Sequence, residues 1–404
     1  MRRSLVLILV FVFIDVLGFS LILPLLPFYA ATFGATPSVV GLMLGANALA
    51  QLIGAPIFGR LSDRYGRRPL LILGLVGTVA GFLMLGFARS LWMLFASRIV
   101  DGLLGGNTSL AQAYITDVTD TKNRAKGLGF IGASFGLGFI FGPAIGGTLS
   151  AAGNYALPAL VAAGLSGLNL LGVLLWLPES LPPERRAAAA TNPRMALTLR
   201  ALWEALNRPC VGPLLHVRLF FGLAFTMFQT IFAVFASKRL GLSAQSTGYV
   251  LTYVGLLVVI IQGGGIGLLT KRFSEKQLTF GGSALLSLSL LAWALVPSLV
   301  LLLVVLAPLA LAAGVLQVTI NSALTKSVYP EEVGGTLGLS AALDSGTRVV
   351  APIVGGFLIG NVSVAGPGIL GALLMAWLIS YTWRRILFVP DLECPGPPAL
   401  LQQQ

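Results

Sequence analysis

The sequence predicts an all-α membrane protein in which twelve transmembrane helices form two pseudo-symmetric six-helix bundles. Three observations predict it. The composition is 56% hydrophobic and 10% charged, with a mean hydropathy of +0.91, whereas soluble domains carry roughly 25% charged residues. Apolar runs long enough to cross a bilayer core, about 20 residues each, follow one another along nearly all of the 404 residues. Glycine and proline landmarks of the first half recur in the second. The 49 glycines and 22 prolines fall inside the apolar runs, where membrane helices pack closely or bend.

Polar and turn signals place the spans at residues 5–30, 39–59, 69–88, 91–114, 126–150, 154–177, 212–236, 245–269, 278–296, 298–323, 333–359 and 365–387. The first follows Arg2 and Arg3 as a signal peptide would. Its apolar run continues past Leu26 without a small-residue cleavage site, so it reads as a retained helix. Twelve spans bring both ends to one side. With those ends in the cytoplasm, inner loops hold 20 of the 26 basic residues, outer loops only Arg89, Lys238 and Arg239, and the spans Arg98, Arg218 and Arg348. That asymmetry is the positive-inside pattern. It also accounts for the net charge of +12 through short loops beside anionic lipid headgroups rather than through nucleic-acid binding. Compact loops and short tails favour a bacterial inner membrane, and a monomer is expected.

The longest polar stretch divides the chain into a bundle over 1–177, a cytoplasmic linker over 178–211, a second bundle over 212–387 and a tail over 388–404. Gly34 and Gly41 align with Gly241 and Gly248, Gly59 and Arg64 with Gly267 and Arg272, and Pro143, Gly146 and Gly147 with Pro352, Gly355 and Gly356. The offset holds at 207 to 209 residues across six helices, the mark of an internal repeat. Such symmetry places a substrate site between the halves near the bilayer midplane. Cys210 and Cys394 lie in the linker and tail without metal-ligand spacing, and no role is assigned to them.

Six charges interrupt the spans: Asp15, Arg98, Asp101, Arg218, Asp344 and Arg348. A charge at a helix centre costs about 2.5–3.5 kcal/mol on insertion scales, so each is expected to face a partner or a cavity. Arg98 with Asp101 and Asp344 with Arg348 stand three and four apart, where two side chains share a helix face and compensate one another. Arg218, near its span's inner end, is placed to snorkel. Asp15 has no basic neighbour at helical spacing and is the first candidate for a proton carrier. Asn47, Gln51, Gln112, Gln229, Gln262, Gln317, Asn321 and Arg348 suit cavity walls, as do Tyr114, Phe225, Phe228, Phe232 and Tyr253. The lone His216 reads as interfacial. No phosphate-cradling loop, histidine pair or acidic cluster is present, so no catalytic residue, metal or cofactor is expected. A channel would not need two bendable, repeated bundles.

Three patterns carry a family resemblance. Gly-Arg-Leu-Ser-Asp-Arg-Tyr-Gly-Arg-Arg, from Gly59 to Arg68, resembles the signature loop of the major facilitator superfamily. Arg98 followed by Gly102, Gly105 and Gly106 resembles its membrane-embedded arginine motif. Gly129, Gly138, Gly142-Pro143 and Gly146-Gly147 resemble the antiporter motif of its drug:proton branches. The opening Asp15-Val-Leu-Gly-Phe, with Pro24-Leu-Leu-Pro27, is similar to helix 1 of tetracycline/proton antiporters. The resemblance implies the major facilitator fold and a lock in which Asp63 and Arg67, framed by Gly59, Arg64, Gly66 and Arg68, engage Asp117 and face the start of span 11. The second half departs from this pattern, with Lys271 before Arg272 where Asp63 precedes Arg64. Proton coupling would fall to Asp15, Arg98, Asp101 and Asp344, with Arg98 tuning Asp15. The implied activity is proton-coupled export of small amphipathic or cationic compounds by alternating access; a facilitator or symporter for an endogenous metabolite is the alternative.

Overall fold

A computed structural model describes residues 2–182, 199–208, 211–329 and 332–387. Much of the expected linker, the tail over 388–404 and both cysteines lie outside the described residues. Twelve helical spans run in order: α1 (Arg2–Ile22, resumed at Leu26–Thr32), α2 (Pro37–Tyr65), α3 (Arg67–Gly86), α4 (Leu91–Leu104 and Asn107–Val118), α5 (Thr121–Leu149), α6 (Ala156–Trp176), α7 (Gly212–Leu240), α8 (Ala244–Ile260, continued through Ile261–Gly265 to Ile266–Thr270), α9 (Glu275–Leu295), α10 (Leu299–Lys326), α11 (Val333–Asn361) and α12 (Gly366–Thr382). Ten are long and apolar enough to cross a membrane; α4 and α8 cross as interrupted helices.

Local chemistry sets the ends and the breaks. Thr36, Ser90, Ser243 and Ser298 each accept a hydrogen bond from a first-turn N–H of the helix that follows, satisfying donors that a helix start leaves free. Ser274 and Gln277 form a reciprocal capping box at α9. Gly34 and Gly241, one repeat apart, take φ of 75° and 65° at the turns after α1 and α7, a conformation glycine adopts without a Cβ clash. In α4 the N–H of Gly106 turns to the Leu104 carbonyl and the helix restarts at Asn107. In α8 the run Gly263-Gly264-Gly265 falls in a π turn, a feature frequent at functional sites.

Within the first half α1 packs on α5 and α6, α3 on α6, and α4 on α2 and α3; within the second, α9 packs on α10 and α12 and α7 on α11 and α12. The two bundles meet through α2 against α11 and α5 against α8. A Cβ at Gly41 would overlap the Pro352 carbonyl oxygen and lie 3.0 Å from the Gly356 Cα. A Cβ at Gly248 would overlap the Pro143 carbonyl oxygen and lie 3.2 Å from the Gly147 Cα. Gly41 and Gly248, Pro143 and Pro352, Gly147 and Gly356 are the repeat partners, so the two joints are copies of one contact. Both lie toward the end of the molecule opposite Arg64, Lys126, Lys271 and Lys326, here termed the far face; the end bearing those residues is the basic face. Toward the basic face, a Cβ on Gly59, Gly129, Gly264, Gly267, Gly334 or Gly338 would meet nothing within 4 Å. The bundles are therefore closed at the far face and splayed at the basic one.

Candidate proton and substrate site

Asp15 lies midway along α1, partly buried. Its Oδ1 accepts a hydrogen bond from Asn107 Nδ2 at 2.9 Å, and the same amide donates to Thr78 Oγ1 at 3.2 Å. Asn107 is 3% exposed and its Oδ1 is buried without a hydrogen-bond partner. A Cβ at Gly74 would overlap that oxygen, so a glycine on α3 makes room for it. The break in α4 puts Asn107 at the restart of the helix, where one side chain joins α1, α3 and α4.

Next to this group, Arg98 is 3% exposed, bonds Asp101 at 3.3 Å and lies over the Phe82 ring at 5.6 Å. The pairing expected from their spacing is present; Arg98's charge partner is Asp101 rather than Asp15. Asn47 donates to the Arg98 carbonyl at 2.7 Å and Gln51 to the Gly105 carbonyl at 3.3 Å. These two polar residues of α2 thus hold the interrupted backbone of α4.

In the second half the expected pairing changes. Asp344 does not compensate Arg348 along α11 but reaches Arg218 on α7, with Arg218 Nε donating to Oδ1 at 2.7 Å and Nη2 to Oδ2. Arg218 Nη1 also donates to Gln317 on α10 at 3.2 Å. Arg218 is buried and does not snorkel, because a bidentate carboxylate satisfies its fork inside the bundle. Arg348, Gln112, Gln229 and Gln262 are exposed, and Asn321 is half-buried. Phe228 and Phe232 pack on Trp293 inside the second bundle, Phe225 stacks on Phe221 and Phe228, and Tyr114 and Tyr253 donate to the Pro178 and Leu303 carbonyls. His216 Nδ1 contacts the Gly212 carbonyl on its own helix.

At the basic face Arg67 bonds Asp63 at 2.7 Å, Asp117 at 3.1 Å and Ser62 at 2.6 Å. Glu179, past the end of α6, accepts from the Arg67 and Arg68 backbone N–H groups at 2.8 and 3.1 Å, an anion at a helix start. Gly66, at φ 107°, ends α2. Arg68 reaches the Leu174 carbonyl and Arg64 lies over Tyr65. The expected engagement of Asp63, Arg67 and Asp117 is thus present, within the first bundle. The second half carries its counterpart with the charges exchanged: Glu275 starts α9 where Arg67 starts α3, Lys326 ends α10 where Asp117 ends its span, and they pair at 2.6 Å.

The glycines of α5 use two faces. A Cβ at Gly138, Gly142 or Gly146 would strike Val16, Ser20 or Leu21 of α1, and Ser20 Oγ donates to the Gly138 carbonyl at 2.7 Å. Gly147 and Pro143 instead meet α8 across the joint, while Gly129 faces open space.

The family model of the Major Facilitator Superfamily matches residues 8–352. The chain belongs to the Major Facilitator Superfamily. Among relatives, it is 33% identical to the class C tetracycline resistance protein of Escherichia coli over 365 residues, covering 87% of this chain and 89% of that protein. It is 30% identical to solute carrier family 22 member 18 of Mus musculus over 373 residues, covering 90% and 91%. The crystal structure of the human organic anion transporter MFSD10 superposes with a TM-score of 0.68 at 23% identity, over 94% of this chain and 99% of that one. The protein is accordingly a multi-pass membrane transporter of small molecules and not an enzyme.

In this transporter, the structure brings Asp15 beside the Arg98–Asp101 pair and sets Asp344 apart in the second bundle. Sequence reasoning missed Asn107, Thr78, Arg218 as an ion-pair partner, Glu179, and the Glu275–Lys326 pair. Asn107 carried a signal, a polar residue directly after Gly105-Gly106 inside a span. Glu275 and Lys326 also carried one, since the offset of 208 or 209 residues maps them onto Arg67 and Asp117.

Proposed function

We propose that this protein is a proton-coupled exporter of small amphipathic compounds, cations among them, working as an antiporter by alternating access, with Asp15 as proton carrier. The observation that carries the reading is Asp15 itself: a carboxylate within a membrane span, without an ion pair among the described residues, held only by a neutral amide. Such a group is neutral at least expense in a low dielectric and ionised when water reaches it, and rocking the bundles controls that access. The tetracycline resistance relatives support it. The concentration of Lys and Arg at the basic face supports a reading in which that face lies in the cytoplasm of a bacterial inner membrane. The structure then corresponds to the state open to the cytoplasm. The locking role of Asp63, Arg67 and Asp117 belongs to the alternate state.

A facilitator or symporter for an endogenous metabolite is the second reading, favoured by the similarity to a solute carrier. Inverted vesicles separate the two. Under the first reading, an imposed pH gradient, acid inside, drives substrate accumulation above equilibrium; a facilitator only equilibrates it.

A further inference from the structure

Of the six charges inside the spans, two ion pairs account for four: Arg98 with Asp101 and Arg218 with Asp344. Among the described residues Asp15 and Arg348 remain without an ion pair, one in each bundle, opposite in sign. Arg348 is the sixteenth of the 29 residues of α11, near the middle of the membrane, and its side chain is exposed. A guanidinium at that depth is expensive against lipid and faces water or a partner. Its neighbours settle which. Val349 and Ile353 touch Gly45 of α2 across the joint. Asp344, one turn toward the basic face and about 6 Å along the axis, reaches α7. Arg348 therefore lies where α11 turns from the opposite bundle toward α7, in the space that opens to the basic face.

We propose that Arg348 forms an anion subsite in the central cavity, taking a carboxylate or other single negative charge on an amphipathic substrate, with Arg218 as a second cation masked by Asp344. The proposal rests on the transport reading above and narrows its substrates to amphipathic compounds that carry an anionic group, zwitterions that also carry a cation included. An Arg fork matches a carboxylate geometrically and releases little water on binding. Asp344 is the resident competitor: its side chain is 30% exposed while that of Arg218 is 7% exposed, so the carboxylate stands between the cavity and the buried cation.

The test is equilibrium dialysis of the purified full-length protein with two aromatic probes matched in shape, 2-naphthoate and 2-naphthylmethylammonium, with no gradient applied. Naphthoate is expected to bind more tightly by about tenfold or more, one charge-assisted contact. Arg348→Gln should lower its affinity by about tenfold, Arg348→Lys, which keeps the charge and loses the fork, should lower it by less, and Asp344→Asn should raise it by unmasking Arg218. Arg348 is exposed, so its variants leave the packed interior intact. Preference for the cation, no measurable naphthoate binding, or unchanged naphthoate affinity in Arg348→Gln overturns the proposal. None of these outcomes bears on whether export is driven by protons, which the vesicle experiment decides.

Discussion

Asn107 shares one amide between Asp15 and Thr78 while its own carbonyl oxygen stays buried and unpaired. It positions the carboxylate rather than carrying a proton. Asn107→Leu removes the only neutral donor to Asp15 among the described residues and leaves two polar groups unsatisfied, each costing about 1–3 kcal/mol. A lower thermal unfolding temperature in detergent and a changed pH dependence of transport are expected, whereas Asn107→Gln should restore the pH profile in part. An unchanged pH profile in Asn107→Leu would assign the residue to packing alone. At this scale the sequence was half legible. Asp15 stood out because no basic residue lies one turn away, and Arg98 with Asp101 because one does. Asp344 and Arg348 also stood one turn apart, yet Arg218 from another helix took the carboxylate; spacing along one helix says nothing of a cation 126 residues away.

The elements were more legible than the contacts between them. Span positions followed from hydropathy, and the repeat followed from glycines and prolines, because close helix crossings tolerate only small residues. The interruptions of α4 and α8 escaped notice, since Gly105-Gly106 and Gly263-Gly264-Gly265 read equally well as packing surfaces in a straight helix. α5 shows what a packing surface demands. Gly142 faces Ser20 and Leu21, with no space for even a Cβ, so Gly142→Leu must push α1 and α5 apart. Transport is expected to be lost and the yield of folded protein reduced; Gly129→Leu, at a position facing open space, should fold normally. Measured flux and size-exclusion profiles of the two variants separate them, and normal flux in Gly142→Leu would contradict the packing described.

For the whole molecule, the two copied joints at the far face and the splayed basic face are one end state of the rocking motion proposed above. Ser38 and Asn361 meet across the far face at 2.9 Å. With both native cysteines replaced by alanine, a Ser38→Cys/Asn361→Cys protein should form a disulfide on oxidation, stop transporting, and recover on reduction. Full flux with the bridge formed would mean that the far face need not open. The exchanged polarity of Arg67–Asp117 and Glu275–Lys326 was legible only once the repeat was extended to charged positions, because sequence similarity between the halves hides a reversal of sign. The central claim is that Asp15 couples proton movement to this rocking. It is tested by measuring, in the same inverted vesicles, substrate accumulation driven by a pH gradient and counterflow without one, for the native protein and for Asp15→Asn. Asp15→Asn is expected to lose accumulation while retaining counterflow. Accumulation by Asp15→Asn at the native rate would contradict it.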